Sequence, residues 1–385
     1  MKKEIKKQTE LEAIIKWTGG KESELKHITP LLPKNIKKYF EPFIGGGSVW
    51  ASIIAEKYFI NDKSDELISL YKSIAGTNGF SRENFFTSME KVISNWDLLT
   101  DKAGKNQELF IDTYKKFSTN NITEDEMKKF VNEFIKKNSN KFLKMFSDEM
   151  NYNPNFFLKE LRINMIRKIK RMKVLEKKNY ILPNDEICGN IETALKSAFY
   201  MQMRHLFNNV EELNIKPIVQ VVTFFFIRNF TYSAMFRYNS DGKFNVPYGG
   251  MGYNRKNIQK KINYLKSEVL KNHLDKTKIE NFDFEKFLKK YTLTKEDFIF
   301  LDPPYDSEFS TYSQNEFNKD DQIRLANYLI KDCKANWMMV IKNTPLMQEL
   351  YIDKGLEVMA FNKIYLVSFM NRNDKKVEHL LIKNY

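Results

Sequence analysis

With 385 residues, 42% apolar and 14% aromatic, the chain has room for two domains, or for one with a large insertion, and is too apolar for wholesale disorder. Its 63 Lys and Arg against 49 Asp and Glu leave a net charge of +14, which suits a polyanionic partner such as nucleic acid or an anionic membrane surface; solvated surface lysines are the alternative. Two cysteines exclude a disulfide framework and a Cys-rich zinc site. The four histidines lack metal-ligand spacing, so no metal is expected. The basic start, residues 1–8, is followed by no long apolar run, and no stretch reaches the roughly 18 apolar residues of a membrane span. A soluble, cytoplasmic protein is expected.

Residues 11–71 carry short apolar runs punctuated by glycine. Lys16-Trp17-Thr18-Gly19-Gly20-Lys21 places an aromatic and two lysines around a flexible turn. Trp17 there can cover an adenine ring or a methyl donor, or be an ordinary loop residue. Residues 38–43 read as a strand. Gly45-Gly46-Gly47-Ser48 follows, then a helical pattern through Val49, Trp50, Ile53 and Ile54, then a strand over 58–60 ending at Asn61-Asp62. Strand, glycine turn, helix, strand, acid is the order of nucleotide-binding βαβ units. The glycines admit close approach of a ligand to the backbone. With no Lys-Ser or Lys-Thr after them this is not a P-loop, and a phosphate ligand is not specially favoured. Asp62 stands where an acid takes ribose hydroxyls; the alternative is a cap for the next helix.

Residues 72–195 are charged and helix-rich. Over 159–178, Leu161, Met165, Ile169, Met172 and Leu175 form an apolar stripe beside Arg162, Arg167, Lys168, Lys170, Arg171 and Lys173. That is an amphipathic basic helix, for phosphate contact or simply for solvent. Further on, Arg237-Tyr238-Asn239 and Phe244-Asn245-Val246-Pro247-Tyr248 flank Ser240-Asp241-Gly242 as a β-hairpin flanks its turn. Arg237 and Asn245, near its ends, are of the types that pair bidentately with base edges. Lys243, Arg255, Lys256, Lys260 and Lys261 can neutralise phosphates, unless this is an exposed hairpin with ordinary surface charge.

Residues 295–385 return to alternating strands and helices. Residues 298–301 read as a buried strand. Asn318 can cap a helix with Ile323, Ala326, Leu329 and Ile330 on one face. A strand at 337–341, a short helix at 346–351 and a closing pair of strands at 361–369 and 378–383 follow. The α/β sheet is therefore split, with segments 1–75 and 290–385 flanking an inserted helical and recognition region, 76–289. The sharpest signal, Asp302-Pro303-Pro304-Tyr305, lies at the carboxyl end of the 298–301 strand. Two prolines make a stiff turn whose carbonyl oxygens are expected to point outward unpaired. With the Asp302 carboxylate and the flat Tyr305 ring, they make an acceptor pair and a stacking platform suited to a planar amine that donates two hydrogen bonds. A rigid strand-to-helix turn is the alternative.

Together and in this order, these motifs resemble the Dam-like (D12 class) adenine-N6 DNA methyltransferases. The matched stretches are 16–21, 40–50, 61–71, 237–249, 301–326 and 376–385, roughly a third of the chain, with Ser310-Thr311-Tyr312, Phe317 and Gln322-Ile323-Arg324-Leu325-Ala326 particularly close. The resemblance implies a Rossmann-like S-adenosylmethionine-dependent methyltransferase sheet, split by a mostly helical target-recognition domain with a β-hairpin, in the family's alpha motif order. It implies S-adenosylmethionine as cofactor, S-adenosylhomocysteine as product and no metal. Trp17, Lys21, Phe43, Gly45, Gly47, Asp62 and Asp302 are then the cofactor positions. Asp302, Pro303, Pro304 and Tyr305 are the catalytic ones, with Asp302 and the Pro303 carbonyl accepting the two N–H bonds of a flipped-out adenine and Tyr305 stacking on it. Arg237, Asn239, Asn245, Pro247 and Tyr248 are the positions expected to meet double-stranded DNA. The implied setting is a bacterial or phage modification system, an orphan enzyme or the partner of a restriction endonuclease, acting as a monomer. Competing readings are a cytosine-N4 DNA methyltransferase, an RNA adenine methyltransferase and an inactive DNA-binding module. Tyr232-Ser233-Ala234-Met235 stands where Dam-like members reading GATC commonly have an Asn-Gly pair, so GATC is not implied.

Overall fold

The structure, a computed structural model, describes residues 11–146, 148–177, 180–305, 317–364 and 376–385. In chain order the strands are β1 (Lys38–Glu41), β2 (Lys57–Asn61), β3 (Thr277–Glu280), β4 (Asp297–Leu301), β5 (Asn336–Lys342), β6 (Glu357–Ile364) and β7 (Lys376–Lys383). The helices are α1 (Leu25–Ile28), α2 (Asp65–Ala75), α3 (Arg82–Lys105), α4 (Gln107–Ser118), α5 (Glu124–Leu143), α6 (Pro154–Glu176), α7 (Asn184–Asn208), α8 (Pro217–Phe230), α9 (Ile258–Lys266), α10 (Glu268–Asp275), α11 (Phe284–Lys289), α12 (Lys319–Asn327) and α13 (Pro345–Tyr351). The chain divides into two compact units. One comprises Met1–Phe80, Phe236–Tyr238 and Tyr264–Tyr385; the other comprises Ser81–Met235 and Asn239–Asn263.

The first unit holds one seven-stranded sheet in the order β3-β2-β1-β4-β5-β7-β6. The first five strands of that order run parallel, and β7 is antiparallel to both neighbours. β4, Asp-Phe-Ile-Phe-Leu, is buried at all five positions, as a central strand covered on both faces must be. From β1 the chain proceeds to β2 on one side, and from β4 to β5 on the other. The boundary between β1 and β4 is therefore the topological switch point, where the strand ends of such a sheet leave a crevice. β1 and β2 come from residues 38–61 and β3 to β7 from residues 277–383. Thr277–Glu280 pairs with β2, so the sheet takes in residues that the sequence reading gave to the insertion. Only Ile279 of β3 is buried, too little apolar signal to read as a strand.

Two local expectations are corrected. After the glycine turn there is only a 3-10 turn, Trp50–Ser52, and no full helix. The Tyr58 hydroxyl accepts the Ala55 N–H (2.8 Å) and donates to the Ile53 carbonyl (3.1 Å), which ties the chain into a tight return to β2. In α12 the Asn318 capping box forms with Asp321, as expected of that cap. Past Asn327 the helix widens into a π turn, Tyr328–Asp332; of the expected face Ala326 and Leu329 are buried, whereas Ile323 is half-buried and Ile330 exposed, because the buried face also takes in Gln322 and Leu325. The closing strand pair is present as β6 and β7; its intervening residues 365–375 lie outside the described residues.

The second unit is helical. α7 packs against α3, α4, α6 and α8 around an aromatic core in which Trp96 meets Phe199, Phe226, Phe230 and Tyr248. The expected basic helix is α6, which buries Leu161, Met165, Ile169 and Met172. Much of its charge is spent inside the unit: Arg162 donates to Asn132, Arg167 to Asn164, Lys170 to Glu124 and Lys173 to the Phe117 carbonyl. The expected hairpin has its turn, with Asn239 accepting the N–H groups of Asp241 (3.2 Å) and Lys243 (2.8 Å). Its arms are not assigned as strands, and Tyr248 forms an isolated antiparallel bridge with Thr231.

Candidate active site

Lys21 is the hub of the sheet unit's switch point. Its side chain is 2% exposed and its Nζ lies against Asp302 Oδ1. The same ammonium donates to the Gly19 carbonyl (2.9 Å) and to the Tyr305 hydroxyl (3.1 Å), and the Lys21 N–H donates to Ser48 Oγ (3.2 Å). A buried ammonium is tolerable only with such partners. The turn that delivers it is local: the Gly20 N–H donates to the Trp17 carbonyl (3.2 Å) and Gly19 takes φ +81°.

The glycine run follows β1 directly. Gly45 and Gly47 lie in the left-handed region, at φ +48° and +78°. A Cβ on Gly46 would stand 2.4 Å from the Ile15 carbonyl oxygen, and one on Gly47 2.4 Å from the Tyr71 hydroxyl. The loop is thus pressed between the N-terminal segment and α2, and Tyr71 donates to the Gly45 carbonyl (3.1 Å). The glycines serve this packing first. Trp17, half-buried, lies against Gly45.

Asp62 closes the end of β2. Its Oδ2 accepts the Gly45 N–H (3.1 Å) and its Oδ1 the Ser64 N–H (3.0 Å). Burial lifts the carboxyl to about 6, against the pull of the Ser64, Gly45 and Lys63 N–H groups. The cap of α2 is Ser64, so the capping alternative for Asp62 does not hold. Phe43, half-buried, meets Phe284 and Phe317 at ring distances of 5.7 and 5.5 Å.

At the end of β4, Pro303 is buried, Pro304 exposed and Tyr305 half-buried. The expectation that both proline carbonyls point outward unpaired is corrected: Gln322 Nε2 donates to the Pro304 carbonyl (2.8 Å). Ser310, Thr311 and Tyr312 lie outside the described residues. Sequence reasoning also missed three groups beside the motif. Glu41 is buried, accepts Tyr39 Oη (2.6 Å), and is pushed well above the usual carboxylate range by burial and by the Asp302 charge. His379, fully buried, meets the Tyr305 ring edge-on at 5.4 Å. Gln322 is fully buried on α12. A polar residue at the end of an apolar strand, or on the inward face of a helix, is the signal that could have found them.

Of the positions expected to meet DNA, Arg237 belongs to the sheet unit, and Asn239, Asn245, Pro247 and Tyr248 to the helical one. Asn239 and Pro247 are exposed, and Arg237 and Asn245 half-buried. Tyr248 is buried in its unit's core, with its hydroxyl on Asn254 Oδ1 (2.9 Å). Lys256, named with the phosphate-facing lysines, donates to the Asn229 carbonyl and lies over the Phe230 and Tyr253 rings.

Among the described residues no group of three or more His, Cys, Asp and Glu is placed to hold a metal ion, and no helix is long and apolar enough to cross a membrane. The family model of the D12 class N6 adenine-specific DNA methyltransferase matches residues 17–171 and 163–366. The Type II methyltransferase M.CviBI of Paramecium bursaria Chlorella virus NC1A is 25% identical over 380 residues, covering 97% of this chain and 100% of the relative. The Type II methyltransferase M.MjaIII of Methanocaldococcus jannaschii is 25% identical over 98% of this chain and 100% of its own. A DNA adenine methylase of Vibrio cholerae is 21% identical over 96% and 94%.

Proposed function

Because the chain belongs to the D12 class of N6 adenine-specific DNA methyltransferases, we propose that the Lys21–Asp302–Tyr305 cluster is where the adenine amino group is held. The protein is a site-specific adenine DNA methyltransferase, and its family implies S-adenosylmethionine as donor. The residues present fit that group. Asp62 has both oxygens oriented by main-chain N–H groups, and a carboxylate has lone pairs to spare for ribose hydroxyls. Trp17, against Gly45, and Phe43, against Phe284 and Phe317, offer half-buried rings. When bound, S-adenosylmethionine supplies an electrophilic methyl group.

The rest is done by the chain's own residues. An adenine in a duplex must leave the stack before its amino group can react, at a cost of about a few kcal/mol. Lys21 holds the Asp302 carboxylate in place, so that it can accept one N6–H bond without reorienting. The Pro303 carbonyl takes the other, and Tyr305, fixed through its hydroxyl by Lys21, stacks on the base. Two acceptors on the amine draw its lone pair out of conjugation and toward the methyl group. The gain is one of orientation and placed charge.

The observation that carries this reading is the buried Lys21–Asp302 pair, which joins residues from opposite ends of the chain at the switch point. We extend the reading to a cytoplasmic monomer working on duplex DNA without a metal, as an orphan enzyme or beside a restriction endonuclease. The test is expression in a host lacking adenine methylation, with base modifications read across its genome beside an Asp302→Ala control. N6-methyladenine at one recurring motif, absent in the control, is expected. Unchanged methylation in the control would remove Asp302 from its role.

A further inference from the structure

Six residues of α7 share one face at helical spacing: Gly189, Thr193, Lys196, Tyr200, Arg204 and Asn208. Each engages the segment 244–254. The Asn208 amide donates to the Phe244 carbonyl (2.9 Å) and accepts the Phe244 N–H (2.8 Å), as a neighbouring strand would. Arg204 reaches the Asn245 and Val246 carbonyls (3.4 and 3.3 Å), and the Tyr200 hydroxyl donates to the Val246 carbonyl (3.0 Å). Lys196 Nζ donates to the Asn254 carbonyl. Thr193 Oγ1 and the Gly189 carbonyl accept from the Asn254 amide (2.9 and 3.1 Å).

A helix face that only packs would be apolar. This one buries an ammonium, 1% exposed, with its counter-ion Glu192 at 3.0 Å, and desolvating such a pair is costly. Nearly every group it addresses is main chain, so the segment's course is held whatever side chains it carries. At and beside the segment, Pro247 is exposed, Asn245 half-exposed, and Lys243 exposed with its Nζ on Asn209 Oδ1 (3.1 Å).

We infer that the polar face of α7 is a splint that fixes the backbone of residues 244–254 so that Lys243, Asn245 and Pro247 meet DNA in one register. α7 thereby supplies positioning residues for target discrimination. The inference rests on the reading of this segment as DNA-facing. Its test is steady-state methylation by the full-length protein of a duplex carrying the recognised site and of duplexes with one base pair changed. Asn208→Leu removes two neutral hydrogen bonds and is expected to raise KM for DNA about tenfold and to narrow discrimination against the changed duplexes. At saturating DNA, kcat and the cofactor Kd are expected to stay within about twofold. Tyr200→Phe removes the bond to the Val246 carbonyl, with the hydroxyl's contact to Thr231, keeps the ring, and is expected to raise KM about fivefold; it decides the matter if Asn208→Leu does not fold. Folded variants with wild-type KM and discrimination would overturn the splint. Asn245→Ala and Lys243→Ala separate the two failures. If they alter KM or discrimination while the α7 variants do not, only the splint is lost. If neither set does, the DNA-facing reading falls with it.

Discussion

Asp62 and Lys21 carry opposite charges within one unit, and each is shaped by main-chain contacts that the sequence does not display. Asp62 is an acid whose burial lifts it to about 6. The fold therefore holds its proton more tightly than the unfolded chain does, and this group takes stability away as pH rises from about 4 to 6. Above that range it is the anion, which hydroxyl donors prefer. Cofactor affinity should then fall as pH drops through about 6, and Asp62→Asn should bind about tenfold or more weakly at pH ~7.5 with no step near 6. Calorimetric titration of S-adenosylmethionine across this range checks it; a flat wild-type profile with an unaffected Asn variant would take Asp62 out of the site. Asp302, Tyr305 and Lys21 were legible because their residue types stand at strand ends and turns. The groups beside them were not, Gln322 on the Pro304 carbonyl, Glu41 on Tyr39 and His379 on the Tyr305 ring, because each becomes informative only once its neighbours are known. Ser233 is a related case: it sits at φ +52°, a left-handed position that favours glycine or asparagine, where Dam-like GATC readers commonly carry Asn-Gly.

At the scale of elements, α12 does more than cover the sheet. Asn318 and Asp321 cap its start, and Arg324 ties it to Asp283, Glu285 and Asp321 at 2.7–2.9 Å. So anchored, it presents Gln322 to the Pro304 carbonyl. Gln322→Leu should lower kcat about tenfold or more, as the Asp-Pro-Pro-Tyr turn loses its fixed orientation, with the cofactor Kd little changed. Gln322→Glu, which cannot donate when ionised, should fail alike; single-turnover methylation with both variants checks this. The strands and the α12 cap were legible from apolar runs and cap residues. The face of α12 was half legible: Ala326 and Leu329 are buried as expected, but the face also takes in Gln322, a polar residue that hydropathy does not assign to a core. The recognition hairpin was half legible: its turn is local chemistry, whereas residues 244–246 are held by α7, from earlier in the chain.

For the molecule as a whole, the net charge of +14 overstates what can meet DNA. Lys21, Lys196 and Lys256 are committed to internal partners, whereas Arg255 and Lys260 are exposed. Arg255→Ala and Lys260→Ala should each weaken DNA binding and reduce the slope of log K against log salt by about one. Lys256→Met should lower stability and leave the slope alone. Anisotropy titrations from about 50 to 300 mM salt distinguish these outcomes. The split sheet was legible because its two most distinctive motifs sit on strands that pair side by side. The insertion's far edge was not, since β3 announces itself only by pairing with β2.

The same split sets an order of events during synthesis. β1 and β2 emerge early, yet β1 meets its other neighbour, β4, only after more than two hundred intervening residues. At cellular elongation rates that interval is on the order of ten to fifty seconds. Throughout it Lys21 has no Asp302 to hold and one side of the central strand is open, while the helical unit, largely contiguous in sequence, can fold on local contacts. An unfinished chain thus lacks the Lys21–Asp302 pair until four of the seven strands, β4 to β7, begin to be laid down.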